Sequence, residues 1–237
     1  MTCKFDNILC VIPARGGSKR LQNKNVKRLG DKPLIGWTID FARQSKIFDY
    51  ILVSTDDANI AATAVEYAAE VPWLRPAELA TDESTTIEVL RHALSWYCKE
   101  YKRPDAIVLL QPTSPFRNIS TVRKMLELFY LDKSKIKSVA SLSQVDSHPN
   151  WTFYECDGAW QPCMGWDWFT LRSQDLPSAA RLDGSVYILS PDLIETQDRI
   201  IGDWTTLYKQ SESSFCDIDT LEDFRKAEEI LRINNSD

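Results

Sequence analysis

Histidine is scarce in this chain of 237 residues: His92 and His148 are the only two. Neither falls in a metal-ligand spacing, and Cys3, Cys10, Cys98, Cys156, Cys163 and Cys216 form no C-x-x-C pair. The common zinc-site patterns are therefore excluded, and free thiols are expected. Long apolar runs are also missing. No stretch reaches the roughly 18 residues of a membrane span, and MTCKFDNILCVIPAR lacks the apolar core and cleavage site of a signal peptide. The expectation is a cytoplasmic protein with no membrane partner. No repeat, low-complexity segment or Gly/Ser linker divides the chain, so residues 1–237, 43% hydrophobic and 26% charged, should fold as a single domain. Cations are in the minority, 28 against 34 acidic residues, and a formal charge of −6 argues against nucleic acid as a partner.

That acidic balance is reversed in one place. Between Arg15 and Arg28 stand Arg15, Lys19, Arg20, Lys24, Lys27 and Arg28, with no acid among them. The apolar run Ile8 to Pro13 reads as a buried strand that ends at Arg15-Gly16-Gly17-Ser18, where backbone N–H groups can face an anion. Local positive charge on a glycine loop suits a polyphosphate. The stretch has neither the GxxxxGK[ST] of a Walker A loop nor the GxGxxG of a dinucleotide site, and a solvated basic loop is the competing explanation.

Further along, apolar strands alternate with amphipathic helices. Helices are expected over Pro33 to Ser45, around Ile60 to Ala68, over Ser84 to Lys99, and at Val122 to Phe129. Strands are expected over Tyr50 to Thr55, Glu70 to Leu74, Ala106 to Leu110, Ser138 to Val145 and Gly184 to Leu189, and Leu221 to Arg232 reads as a closing helix. Such alternation implies an α/β fold with a mostly parallel sheet covered by helices on both faces. Ligands of such sheets bind at strand C-terminal ends, where Gln111-Pro-Thr-Ser-Pro-Phe-Arg117 follows the wholly apolar Ala106 to Leu110.

The regular pattern breaks at about residues 148–182. Four of the eight tryptophans (Trp151, Trp160, Trp166, Trp168) lie here beside Phe153, Tyr154 and Phe169, in a stretch too long for an ordinary loop. A protruding hairpin packed on a second subunit and a satellite core within one subunit both account for it. Near the C-terminus, Asp217-Ile218-Asp219 offers two carboxylates that a strand would point to one face, as hard oxygen ligands for a divalent metal. Asp219 is equally placed to cap the helix beginning near Leu221.

Taken in order, Arg15-Gly-Gly-Ser-Lys19 with Lys24-Asn25, Leu74-Arg-Pro-Ala-Glu-Leu-Ala-Thr-Asp82, Gln111-Pro-Thr-Ser-Pro, Leu171-Arg-Ser-Gln-Asp-Leu-Pro177 and Phe215-Cys-Asp-Ile-Asp-Thr220 resemble the motifs of the CMP-N-acylneuraminate synthetases, the cytidylyltransferases of nonulosonic acids. The resemblance runs from Ile8 to Leu231. It implies a Rossmann-like nucleotidyltransferase sheet, a homodimer whose arm at about 148–182 reaches the partner, and the reaction of CTP with a nonulosonic acid to give a CMP-sugar and pyrophosphate. It further implies that Arg15, Gly16, Gly17, Ser18, Lys19, Lys24, Asn25, Arg75 and Thr86 contact the nucleotide. Gln111, Arg172, Gln174 and Tyr187 contact the sugar on the same grounds, Asp217 and Asp219 hold Mg2+, and Arg15, Lys24 and Asp217 carry catalysis. No histidine stands in a motif as a base.

Two positions depart from the family pattern. Ser173 stands where the neuraminate enzymes have an arginine, and Asp183 stands where they have an asparagine before glycine. These changes suggest a sugar other than plain N-acetylneuraminate, for example a 5,7-diacylated one. Kdo-type enzymes, with a first loop lacking GGSK, and a non-catalytic sugar-nucleotide-binding protein are the alternatives.

Overall fold

The computed structural model describes residues 6–132, 134–210 and 216–234. In chain order these form β1 (Ile8–Pro13), β2 (Arg28–Leu29), β3 (Lys32–Pro33), α1 (Leu34–Ser45), β4 (Tyr50–Ser54), α2 (Ala58–Glu66), α3 (Thr86–Glu100), β5 (Ala106–Leu110) and α4 (Ile119–Leu131). Then follow β6 (Ser138–Gln144), β7 (Phe153–Cys156), β8 (Ala159–Pro162), β9 (Ala180–Leu189), α5 (Pro191–Thr196), β10 (Thr205–Lys209) and α6 (Leu221–Asn234). Cys3 lies outside the described residues; Cys10, Cys98, Cys156, Cys163 and Cys216 are free thiols. Among the described residues no helix is long and apolar enough to cross a membrane.

The main sheet has the order β10-β6-β9-β5-β1-β4. β1 pairs in parallel with both β4 and β5, and β10 with β6, while β9 runs antiparallel between β5 and β6. The expected mostly parallel sheet is present, with one reversed strand inside it. Every residue of β5 is buried, as its unbroken apolar run requires. Side chains alternate across β1: Ile8, Cys10 and Ile12 face the helices α1, α2 and α4, whereas Leu9 and Val11 face α3 and α5.

A third, smaller core matters most for the site. Leu21 from the basic loop, Leu29, Leu34, Cys216, Ile218 and the α6 residues Phe224 and Ala227 pack together. Burying Leu21 and Ile218 in one cluster holds their polar neighbours in sequence on either side of a single cleft.

Several expectations need correction. Pro33 ends β3 and precedes the helix, so α1 starts at Leu34. Val65 is 58% exposed, and Ala68 lies beyond α2 with φ +59°. The strand expected over Glu70 to Leu74 reduces to one bridge between Glu70 and Leu52. Asp217-Ile218-Asp219 is not in a strand either. Its alternation survives without a ladder, because Ile218 is buried and its N–H donates to the Thr113 carbonyl (2.8 Å). Asp219 does not cap α6: Thr220 does so, its hydroxyl accepting from Asp223 N–H (3.2 Å) while the Asp223 carboxylate accepts from Thr220 N–H (2.8 Å).

Candidate active site

A cavity of about 480 Å³ opens at the C-terminal ends of β1 and β5, where the chain, having placed β4 on one side of β1, places β5 on the other. One wall is the basic loop, with Arg15, Ser18, Lys19, Arg20, Lys24 and the buried Asn25. Facing it are Gln111 and Thr113 from the turn after β5, together with Asp217 and Asp219. Residues separated by about two hundred positions in sequence thus meet across one cleft, joined beneath by the core of Leu21 and Ile218.

Charge pairing links the two walls. Asp219 accepts from Lys24 Nζ (2.9 Å) and from Arg20 (2.7 Å), and Lys24 Nζ also donates to the Ile218 carbonyl (3.0 Å). Lys24 is 12% exposed, so its ammonium is fixed by these acceptors and does not sweep through solvent. Asn25 donates to the Arg15 carbonyl (3.0 Å) and so braces the loop from inside. Asp217 forms a side-chain hydrogen bond with Thr113. Burial pushes its carboxyl above the ordinary carboxylate range, helped by the Asp219 charge and opposed by Thr113, Lys24 and Arg181.

The glycine loop differs from a free anion cradle. Gly16 N–H donates to Asp56 (3.0 Å) and Ser18 N–H to the Gly16 carbonyl (2.9 Å), so among the described residues only Gly17 N–H of the three lacks an acceptor. Gly16 is required for space, since a Cβ there would lie 2.8 Å from Asp57 Oδ2. It faces a second recess of about 120 Å³ behind the loop, between Lys24 and the start of α2. The loop's cations are not idle either. Arg15 pairs with Asp82 (2.9 Å), Lys19 pairs with the same carboxylate, and these partners hold Asp82 below its usual range.

The remaining expected contacts lie elsewhere. Arg75 is buried and does not line the cavity, donating to the Ser54 carbonyl (2.8 Å) and the Leu79 carbonyl (3.3 Å), and burial lowers its pKa. Thr86 begins α3, which Thr85 and Glu88 cap, and it does not line the cavity. Tyr187 is buried on β9 against the α3 side of the sheet, where burial first, then Asp183 and Asp217, raise its phenol to about 12. Arg172 and Gln174 are exposed around the 3-10 turn Ser173–Asp175, away from the cavity lining. Asp183 is only 1% exposed and accepts from Ser141 (2.5 Å), Ser185 N–H (2.8 Å) and Gln210 (2.5 Å). Its acceptor capacity is spent inside the fold, which corrects its expected place beside the sugar. Arg20 counts in the sequence only as one of six loop cations, and Thr113 and Asp82 carry no role there. Each stands within or beside a motif already singled out, and only its fold neighbour reveals it.

A cation-rich loop and paired carboxylates across the C-terminal edge of a mostly parallel α/β sheet suit the chemistry of a nucleotidyltransferase. A family model described as cytidylyltransferase matches residues 9–150. CMP-N,N'-diacetyllegionaminic acid synthase of Legionella pneumophila is 38% identical over 230 residues, covering 96% of this chain and 97% of that protein. An N-acylneuraminate cytidylyltransferase of Escherichia coli O18:K1:H7 is 32% identical over 238 residues, covering 96% of this chain and 53% of that protein. The solved CMP:2-keto-3-deoxy-manno-octonic acid synthetase complexed with CTP has a TM-score of 0.73, covers 97% of this chain and 100% of its own, and shares the fold at 14% identity. The chain belongs to the cytidylyltransferase family.

Proposed function

We propose that the protein joins CTP to a nonulosonic acid, releasing pyrophosphate and a CMP-activated sugar. The observation that carries this reading is the single cavity in which Arg15, Lys19, Arg20 and Lys24 face Gln111, Asp217 and Asp219. Family membership supports CTP as the donor, and the relative active on diacetyllegionaminate supports a nonulosonic acid as the acceptor. A Kdo-type acceptor is favoured only by fold, at 14% identity.

In the proposed reaction the C2 hydroxyl of the acid attacks the α-phosphorus, the new P–O bond forms in line, the bond to the pyrophosphate oxygen breaks, and the hydroxyl proton leaves to solvent. Arg15, Lys19 and Lys24 neutralise the triphosphate and the charge growing on the leaving group. Gly17 lines neither the cavity nor the recess, so its free N–H stands outside the proposed phosphate site, and Asn25 keeps the Arg15 backbone in place. Gln111 orients the acid from the opposite wall. A magnesium site fits the donor set, because two carboxylates beside a polyphosphate cavity match the few protein oxygens that Mg2+ takes. Asp217, whose ionised form is raised in energy by burial and by Asp219, gains most from such a cation. Held by Asp217 and Asp219, Mg2+ would supply Lewis-acid stabilisation of the charge on the phosphoryl groups. No histidine lines the cavity. The arm from residue 148 to 182 is proposed to complete a homodimer within a single-domain subunit, and a CTP-dependent reaction supports a cytoplasmic location.

The test is direct. Purified protein is incubated with each nucleoside triphosphate, Mg2+ and a panel of nonulosonic acids and Kdo, and pyrophosphate release is followed. Release with CTP and a nine-carbon acid is expected; release with Kdo alone, or with none, overturns the proposal.

A further inference from the structure

Arg117 closes the turn that carries Gln111 and Thr113, yet it does not line the cavity. Its guanidinium points inward. Nε donates to the Ser185 carbonyl (2.9 Å), Nη1 to the Thr38 hydroxyl (3.0 Å), and Nη2 to the Gln111 carbonyl. All three acceptors are neutral. Burial draws its pKa down to about 9, with Cys10 and Asp183 acting in the opposite sense. Holding a cation in the interior on neutral acceptors is costly, and a fully apolar side chain would serve a purely packing role more cheaply.

What the guanidinium joins gives its role. Gln111 leaves the end of β5, and Ser185 follows Gly184 on β9, the neighbouring strand. Gly184 has φ +71°, and a Cβ there would lie 2.7 Å from Gln111 Oε1, so the Gln111 amide rests directly over this glycine. Ser185 is gripped on both sides, its N–H by Asp183 and its carbonyl by Arg117. Thr38, wholly buried on α1, anchors the far end of the guanidinium. One side chain therefore fixes the backbone of Gln111, the backbone beneath its amide, and the helix behind both.

We infer that Arg117 is a positioning residue for the acceptor subsite: it holds Gln111 over Gly184 so that the amide meets the nonulosonic acid at a fixed place. This rests on the function proposed above. Its effect should pass through Gln111 and fall on the acid more than on CTP.

Michaelis constants for the acid and for CTP are measured separately in the parent, Gln111→Ala, Arg117→Lys and the double variant. Arg117→Lys keeps the charge but loses the fork that spans three acceptors. We expect KM for the acid to rise about tenfold or more with KM for CTP changed less than about threefold, and the lysine to add little in the Gln111→Ala background. Equal rises for both substrates, or effects that multiply in the double variant, overturn the inference while the function stands. If the parent shows no turnover of CTP with a nonulosonic acid, it is the function that fails. Should Arg117→Lys not fold, Thr38→Val keeps the arginine and removes one acceptor. A rise in KM for the acid that disappears without Gln111 supports the role, and one that persists rejects it.

Discussion

The two carboxylates of the Asp217-Ile218-Asp219 segment have been given different partners by the fold. Asp219 is neutralised by Lys24 and Arg20, whereas Asp217 is half-buried, with Thr113 as its side-chain hydrogen-bond partner and a like charge two residues away. Because burial raises the Asp217 pKa above its unfolded value, the ionised carboxylate opposes folding once the pH exceeds that unfolded value. Asp217→Asn removes this penalty and, if Asp217 is the main magnesium ligand, removes the charge the cation needs. The variant should therefore melt no lower than the parent in chelator, yet need about tenfold more Mg2+ for half-maximal rate. Thermal melts with and without Mg2+, beside a magnesium titration of the initial rate, check both parts. Coincident titrations would place the metal elsewhere.

Among the elements, the arm stands apart. Among the described residues β7 and β8 pair only with each other, and two strands alone are marginal in water. Phe153, Trp166 and Phe169 cluster with ring centroids 5.2 to 6.0 Å apart, but Trp160 and Trp166 remain 66% and 65% exposed, so this local clustering does not bury the face. A second subunit covering it is the proposed solution. Sedimentation should then give a dimer at micromolar concentration, and specific activity should fall on dilution as subunits separate. A fully active monomer would return the aromatics to the subunit's own surface.

The same elements show what can be read from a sequence. β1 and β5 were legible because an unbroken apolar run has few alternatives, and α3 and α4 because their buried residues recur at helical spacing. Glu70 to Leu74 makes no strand beyond its one bridge to Leu52, since a short apolar stretch says nothing about whether a neighbour's edge is available to pair with it. Ile218 alternates with its aspartates as a strand would, although its one described backbone partner is the turn after β5. In the site, residue types were visible and pairings were not: the Asp82 contact with Arg15 and Lys19, the Arg117 clamp and the burial of Asp183 all join positions distant in sequence.

For the whole molecule the open choice is the sugar, and the structure moves the argument away from where the sequence put it. Asp183 cannot read a substituent, because Ser141, Ser185 and Gln210 already occupy it, and Ser173 sits on the exposed arm. The support for a 5,7-diacylated acid comes instead from likeness along nearly the entire chain to a diacetyllegionaminate enzyme. The expected order is therefore kcat/KM highest for legionaminate or pseudaminate and lower for N-acetylneuraminate by about one to two orders of magnitude, the scale set by 1 to 3 kcal/mol of polar mismatch. Asp183→Asn sharpens the comparison. An amide has one acceptor oxygen where the carboxylate has two, so whichever way it turns its NH2 meets a donor, Gln210 Nε2 or Ser185 N–H; the melting temperature should fall by several degrees, as a loss of about 1 to 3 kcal/mol would, with the ranking of acids unchanged. If N-acetylneuraminate proves best of the three in the parent, the 5,7-diacyl assignment is wrong. If Asp183→Asn reorders the acids without altering the melt, the carboxylate faces the substrate after all.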